Sequence, residues 1–357
     1  MTARAATVPG MSAEPPVVES PPGLEVGPVS EWLAADVGLA PPLRFERVGA
    51  GQSNLTFRVR DRGGREVVLR RPPLGKLLPS AHDMGREHRV MSALWRAGMP
   101  VPRTLAFCGD AEVTGAPFYV MDVVEGTVIS REEVALAFDA DARHTVGISM
   151  AETLARLHAL DIEEIGLADL ASHDNYAARQ LRRWRRQWEA SKTRELPVVE
   201  NVAERLAAAI PEQREVRLVH GDFHVGNVML DERGRVRAVL DWELCTLGDP
   251  VGDLGNSLAY WWHADEEAPA MHAAISTLPG FARREELTGA YAAVSGRDLS
   301  VAGFYRTLGL WKIAIVLEGI YARWLQNPAN SDRGEQLPAM AELFAARAGA
   351  AADEAGL

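Results

Sequence analysis

One stretch limits the possible folds of this chain more than any other: residues 216 to 244, where short β-branched runs end in polar clusters. Val216 to Val219 leads into His220-Gly221-Asp222-Phe223-His224-Val225-Gly226-Asn227. Val228 to Leu230 leads into the turn Asp231-Glu232-Arg233-Gly234, and Val236 to Leu240 leads into Asp241-Trp242-Glu243. Apolar runs of this length around a Gly-containing turn predict a β-hairpin. Each strand delivers a polar group at its end. Singly, Asp222 and Asp241 are turn residues of the kind common at strand ends, and Asn227 is a loop cap. In the hairpin context they make a set of two carboxylates and an amide, hard oxygen donors of the kind magnesium accepts.

The rest of the chain divides around this island. Residues 1 to 27 are rich in Pro, Gly, Ala and Ser and read as a flexible leader, followed by a short helix from Ser30 to Leu39. Leu43 to Val48, Leu55 to Arg60 and Glu66 to Arg70 read as an antiparallel meander, with Asp61-Arg62-Gly63-Gly64 as a hairpin turn. An amphipathic helix over 83–97 and a strand over Phe118 to Met121 complete a small lobe. Beyond Gly126 helical periodicity dominates, over 139–160, 176–190, 281–295 and 301–326. The expected organisation is a leader at 1–27, an N-terminal lobe at 28–122 and a larger, mainly helical lobe at 123–357. The class is α+β, a small antiparallel sheet with one helix beside a mostly helical lobe.

Phosphoryl transfer asks a protein for an aligned hydroxyl, neutralised phosphate oxygens and a held metal, which Asp222, Asn227 and Asp241 can supply. Here the sequence closely resembles the aminoglycoside phosphotransferase-like family, relatives of protein kinases, whose catalytic loop runs H-G-D-x-x-x-x-N before a metal-binding Asp. Leu69-Arg70-Arg71-Pro72-Pro73, the segment from Gly75 to His82, and Asp241-Trp242-Glu243-Leu244 resemble the subgroup that some animal proteins fuse to an acyl-CoA dehydrogenase. The resemblance implies a two-lobed protein-kinase-like fold, ATP in the cleft between lobes and Mg2+ as cofactor. It implies Asp222 as the catalytic residue that accepts or orients a hydroxyl proton, with Asn227 and Asp241 as metal ligands.

It further implies that the glycine-rich turn Gly49, Gly51, Gln52, Ser53 and Asn54 covers the phosphates, and that Arg70 clamps them while paired with Glu87. Lys76 is an alternative cation. Asp122 and Val124 belong to the inter-lobe hinge, where backbone groups would meet adenine. The family carries Lys where this chain has Arg70, and planar Arg is no equivalent of a compact ammonium at a phosphate site. A catalytically silent nucleotide-binding module is therefore a second class of function, against which the intact Asp222, Asn227 and Asp241 speak. His220 is read as ordering the loop, His224 as facing substrate and His158 as structural; Asp249 and Asp253 are read as bracing the catalytic loop, the alternative being that one of them approaches a second metal. The acceptor is a hydroxylated small molecule, aminoglycoside-like or hydroxyacyl-CoA-like.

The formal charge of -11 argues against nucleic acid as a partner, because such affinity comes from neutralising phosphates. The basic run from Arg179 to Arg194 carries Leu181, Trp184 and Trp188 at helical spacing, which predicts an amphipathic helix with core-facing aromatics and solvated arginines. Cys108 and Cys245 are the sole cysteines and read as thiols in a reducing cytoplasm. Lys312, Glu318 and Arg323 interrupt the longest late apolar stretch, so no membrane span is expected.

Overall fold

The structure, a computed structural model, describes residues 21–48, 54–74, 83–269, 272–328 and 333–357. It forms two compact units: the described parts of Met1–His88 with Thr104–Val123, and Arg89–Arg103 with Val124–Leu357. The division between Val123 and Val124 falls within the segment read as a hinge.

The first unit is built on a five-stranded antiparallel sheet in the order β1-β2-β3-β5-β4. Its strands are β1 (Arg44–Arg47), β2 (Leu55–Arg60), β3 (Glu66–Arg71), β4 (Thr104–Cys108) and β5 (Phe118–Asp122). Period-two alternation puts Leu55, Phe57 and Val59, then Val67 and Leu69, then Phe118 and Val120 into one apolar cluster. That cluster also takes Leu24, Val29, Leu33 and Leu39 from helix α1 (Val26–Trp32), the π-helical turn Leu33–Val37 and their flanks. Here the structure corrects the sequence reading. The first helix starts at Val26 rather than Ser30, and Leu24, inside the stretch assigned to the leader, is a buried core residue. Propensity gave no hint of this, because the order of these residues comes from tertiary burial. Helix α2 (Met84–Arg96) begins in this unit.

The second unit holds α3 (Glu132–Leu136), α4 (Ala140–Ala159), α5 (Tyr176–Ser191) and α6 (Pro197–Ala208). The β island follows as β6 (Arg217–Val219), β7 (Val228–Leu230), β8 (Val236–Val239) and β9 (Thr246–Gly248). The chain then runs through α7 (Pro250–Ala259), α8 (Arg284–Ser295), α9 (Ala302–Gln326) and α10 (Leu337–Glu354). β7 and β8 form the expected hairpin, while β6 pairs with β9. On α5, Leu181 and Trp188 are buried and Trp184 packs against the same cluster. Arg182, Arg183, Arg185 and Arg186 are exposed, as the spacing requires. α9, α10 and α6 supply most of the remaining core with Phe304, Trp311, Ile315, Phe344 and Val202. Among the described residues, no helix is long and apolar enough to cross a membrane.

Candidate active site

The loop from His220 to Asn227 leaves β6 through a turn that only glycine accommodates. Gly221 has φ +82°, and a Cβ there would sit 2.6 Å from the Leu244 carbonyl oxygen. Both exits of the β7–β8 hairpin converge on this loop. Val228 pairs with Val239, Leu240 N donates to Asn227 O at 2.9 Å, and His220 Nε2 donates to Leu240 O at 2.8 Å. His220 Nδ1 accepts the Asp222 N–H at 3.3 Å, so the ring's proton is on Nε2. His220 is fully buried, and it fixes the loop to the strand end that carries Asp241.

The structure thus brings three predicted residues to one end of the hairpin. Asn227 Nδ2 donates to Asp222 O at 2.9 Å and approaches Asp222 Oδ2 at 3.4 Å, so both contacts use the amide nitrogen and not Oδ1. Asp241 follows Leu240 directly and has φ 64°, the one non-glycine residue with positive φ among the described residues. Asp tolerates this region better than most residues, yet it stays sparsely populated, and such outliers concentrate at functional sites. Among the described residues no group of three or more His, Cys, Asp or Glu side chains is poised to hold a metal. Two oxygen-donor side chains fit an ion that keeps water and phosphate oxygens in most of its shell, which is the habit of magnesium.

Asp222 is held well below the usual carboxylate range. Burial alone would raise it, but the His224 hydrogen bond, the Lys312 charge and the two nearby imidazoles outweigh that penalty. Lys312, on α9, donates to Gly221 O at 2.9 Å and to Asn256 Oδ1 at 3.2 Å. Burial lowers its own pKa, with Asp222 and Asp253 pulling the other way. The sequence noted Lys312 only as a break in an apolar run. A lone Lys among Leu308, Leu310, Trp311, Ile313 and Ile315 is the one signal that could have found it. Tyr260 and His224 are the other side chains on Asp222, through contacts of 3.3 and 3.5 Å.

Behind the loop lies a buried polar network. Asp253 accepts His220 N–H at 2.6 Å, Gly221 N–H at 2.9 Å and His158 Nε2–H at 3.3 Å. His158 Nδ1 in turn accepts the Tyr291 hydroxyl at 2.8 Å. Asp249 caps α7 through Val251 N at 2.9 Å and accepts the Tyr305 hydroxyl at 2.9 Å. Bracing is what these bonds accomplish. Burial holds His158 below the ordinary imidazole value of 6.5 despite the Asp253 carboxylate. The unfolded chain therefore binds a proton there that the folded one refuses. Stability from His158 is complete above about pH 6.5 and is lost as pH falls toward its folded value, with a slope of at most about 1.4 kcal/mol per pH unit. The thermal midpoint should thus fall between pH 7.5 and 5.5, and His158→Gln should flatten the fall; an equally steep acid slope in that variant would contradict the assignment.

In the first unit, Arg70 on β3 pairs with Glu87 of α2, Nε to Oε1 3.2 Å and Nε to Oε2 3.3 Å, with the carboxylate almost fully buried. Asn54 is buried just before β2, and Asp122 ends β5 opposite Val67. Gly49, Gly51, Gln52, Ser53 and Lys76 lie outside the described residues.

A small antiparallel sheet with one α2-like helix, followed by a helical unit with a His-Gly-Asp loop and an Asp-ended hairpin, is the architecture of a kinase-like phosphotransferase. A family model described as the phosphotransferase enzyme family matches residues 44–287, and the chain belongs to that family. Rattus norvegicus acyl-CoA dehydrogenase family member 11 is 36% identical over 288 residues, 79% of this chain but 37% of that protein, so the chain spans little more than a third of this curated relative. A solved structure from Ralstonia eutropha JMP134, provisionally named an aminoglycoside phosphotransferase, is 30% identical with a TM-score of 0.76, covering 92% of this chain and 98% of that one. A thermostable mutant of aminoglycoside phosphotransferase APH(4)-Ia, in ternary complex with AMP-PNP and hygromycin B, shares the fold at a TM-score of 0.58 and 17% identity, over 91% of this chain and 98% of that one.

Proposed function

We propose that the protein is an ATP- and magnesium-dependent small-molecule kinase that moves the γ-phosphoryl group to an alcohol. The observation that carries this reading is the hydrogen-bonded arrangement of Asp222, Asn227 and the Leu240–Asp241 strand end. Asp222, kept ionised by its surroundings, orients the acceptor hydroxyl and takes its proton as the oxygen–phosphorus bond forms. His220 and Lys312 hold the loop's backbone, so the carboxylate does not have to reorganise as the reaction proceeds. Asn227 Oδ1 and the Asp241 carboxylate would hold magnesium, which when bound would neutralise charge at the phosphate oxygens.

Arg70, oriented by Glu87, is the cation for the α- and β-phosphates, and the backbone at Asp122 and Val124 serves the base. The acceptor is aminoglycoside-like or hydroxyacyl-CoA-like. The first follows the hygromycin B complex of the structural neighbour, the second the acyl-CoA dehydrogenase names of the relatives. Cys108 and Cys245 are both buried, which suits thiols in a reducing cytoplasm.

The deciding experiment is magnesium-dependent ADP release with a panel of hydroxylated acceptors drawn from both classes. Acceptor-stimulated release supports the reading; ATP binding without turnover on any acceptor, in the same magnesium-containing buffer, would favour the silent module. Arg70 gives a second check. Arg70→Lys, which retains a cation but not the planar fork, should raise the ATP KM by less than Arg70→Gln does. Arg70→Gln should raise it about tenfold or more, the value of one or two charge-assisted hydrogen bonds. A parent-like KM in Arg70→Gln would remove Arg70 from the nucleotide site.

A further inference from the structure

Both oxygens of the Asp222 carboxylate already face donors of their own chain. Oδ1 accepts the Tyr260 hydroxyl at 3.3 Å, while Oδ2 faces His224 Nε2 at 3.5 Å and Asn227 Nδ2 at 3.4 Å. Tyr260 caps the C-terminus of α7, the helix whose Asp253 carries the His220 and Gly221 amides, so one element fixes both the loop and the phenol. Its ring packs on His224 with centroids 4.7 Å apart and planes at 38°. Unlike its neighbours Trp261 and Trp262, which are core residues, Tyr260 is only partly buried, packed against the edge of the core cluster. A phenol-to-carboxylate bond normally closes to about 2.7 Å, so the contact here is long and readily exchanged.

An acceptor hydroxyl must bond the same carboxylate to lose its proton, and so must a water that attacks in its place. We infer that Tyr260 is a specificity-determining residue that occupies Oδ1 of Asp222 until an acceptor hydroxyl displaces it, and thereby withholds that oxygen from water. The inference rests on Asp222 being the group that takes the acceptor proton. In transfer, the acceptor O–H gives its proton to Asp222, the acceptor oxygen bonds the γ-phosphorus, and the bond to the β-phosphate oxygen breaks to release ADP. Hydrolysis is the same step with water as the acceptor and inorganic phosphate as the product. An acceptor brings binding energy from the rest of its structure to displace the phenol, which water lacks. Burial beside Asp222 pushes the Tyr260 phenol well above its ordinary value, so it stays a donor throughout.

The test is acceptor-free hydrolysis of Mg·ATP by the full-length protein and by Tyr260→Phe, Tyr260→Leu, Asp222→Asn and the Tyr260→Phe/Asp222→Asn double variant, each with its thermal midpoint. Tyr260→Phe should raise acceptor-free hydrolysis about tenfold, the value of one net hydrogen bond, and the double variant should lose the gain. Tyr260→Leu, which also frees the face of His224, should raise it at least as much. A residue that merely supports the fold would lower the rate on removal. Unchanged or reduced hydrolysis in both tyrosine variants, at midpoints near that of the parent, overturns the inference. Failure of the underlying reading looks different: hydrolysis in the double variant would then match that of Tyr260→Phe, because Asp222 would not be the group the phenol guards.

Discussion

Asp222→Asn is expected to lower kcat for acceptor phosphorylation about 10³-fold while leaving the affinity for Mg·ATP within about threefold, as befits loss of a proton acceptor in the range measured for general bases. The substitution is nearly isosteric, so the loop should remain. His220, Asp253 and Lys312 bond its backbone rather than the Asp222 carboxylate. What changes is charge. An amide cannot take a proton, and the positive surroundings that hold Asp222 ionised would face a neutral group. Single-turnover measurements with saturating ATP would isolate the chemical step from product release. A variant keeping more than about a tenth of the parent kcat would mean that Asp222 neither accepts nor aligns the reacting proton.

Much of this site was legible because its parts lie close in the chain. The hairpin between Asn227 and Asp241 is announced by short apolar runs around a Gly-containing turn, and a hairpin leaves little freedom in where its ends go. The Arg70–Glu87 pair was legible through resemblance, since a strand residue and a following helix residue meet whenever the helix lies across the sheet. Side chains that arrive from distant elements were not legible. Lys312 comes from the middle of an apolar helix, and Tyr260 from an aromatic run that reads mostly as core, with room for one or two of its residues to line an acceptor pocket. Only the tertiary arrangement shows both beside Asp222. The same holds for the fold. β4 and β9 are short and lack a clean alternation, so their partners rather than their residues define them. The helix at Val26 is hidden in a Pro- and Gly-rich stretch, yet Val29 and Leu33 fill the face of a sheet that their neighbours in sequence never reveal.

Asp253→Ala should be the most damaging substitution for stability, at a cost of about 3–5 kcal/mol, because it strands several buried donors at once. The side chain is fully buried, and its carboxylate is the acceptor for the amides of His220 and Gly221 and for the His158 ring. Cooperative bonding in a low-dielectric interior makes such a group worth more than one bond, and its loss releases the loop that aims Asp222. Asp253→Asn keeps one oxygen acceptor and should cost roughly half as much. Because Asp253 is held below its ordinary carboxylate value by His158 and by the backbone amides, against the penalty of burial, its contribution is present above the unfolded value near pH 4 and fades on further acidification. The parent should therefore lose stability below about pH 4 more steeply than Asp253→Ala does. The alternative role for Asp253 is contact with a metal ion, and the two roles separate cleanly. A brace lowers the denaturation midpoint and kcat together while the magnesium concentration for half-maximal activity stays put. A ligand shifts that concentration upward, and finding such a shift in Asp253→Asn at unchanged stability would move Asp253 from the support of the loop to the metal itself.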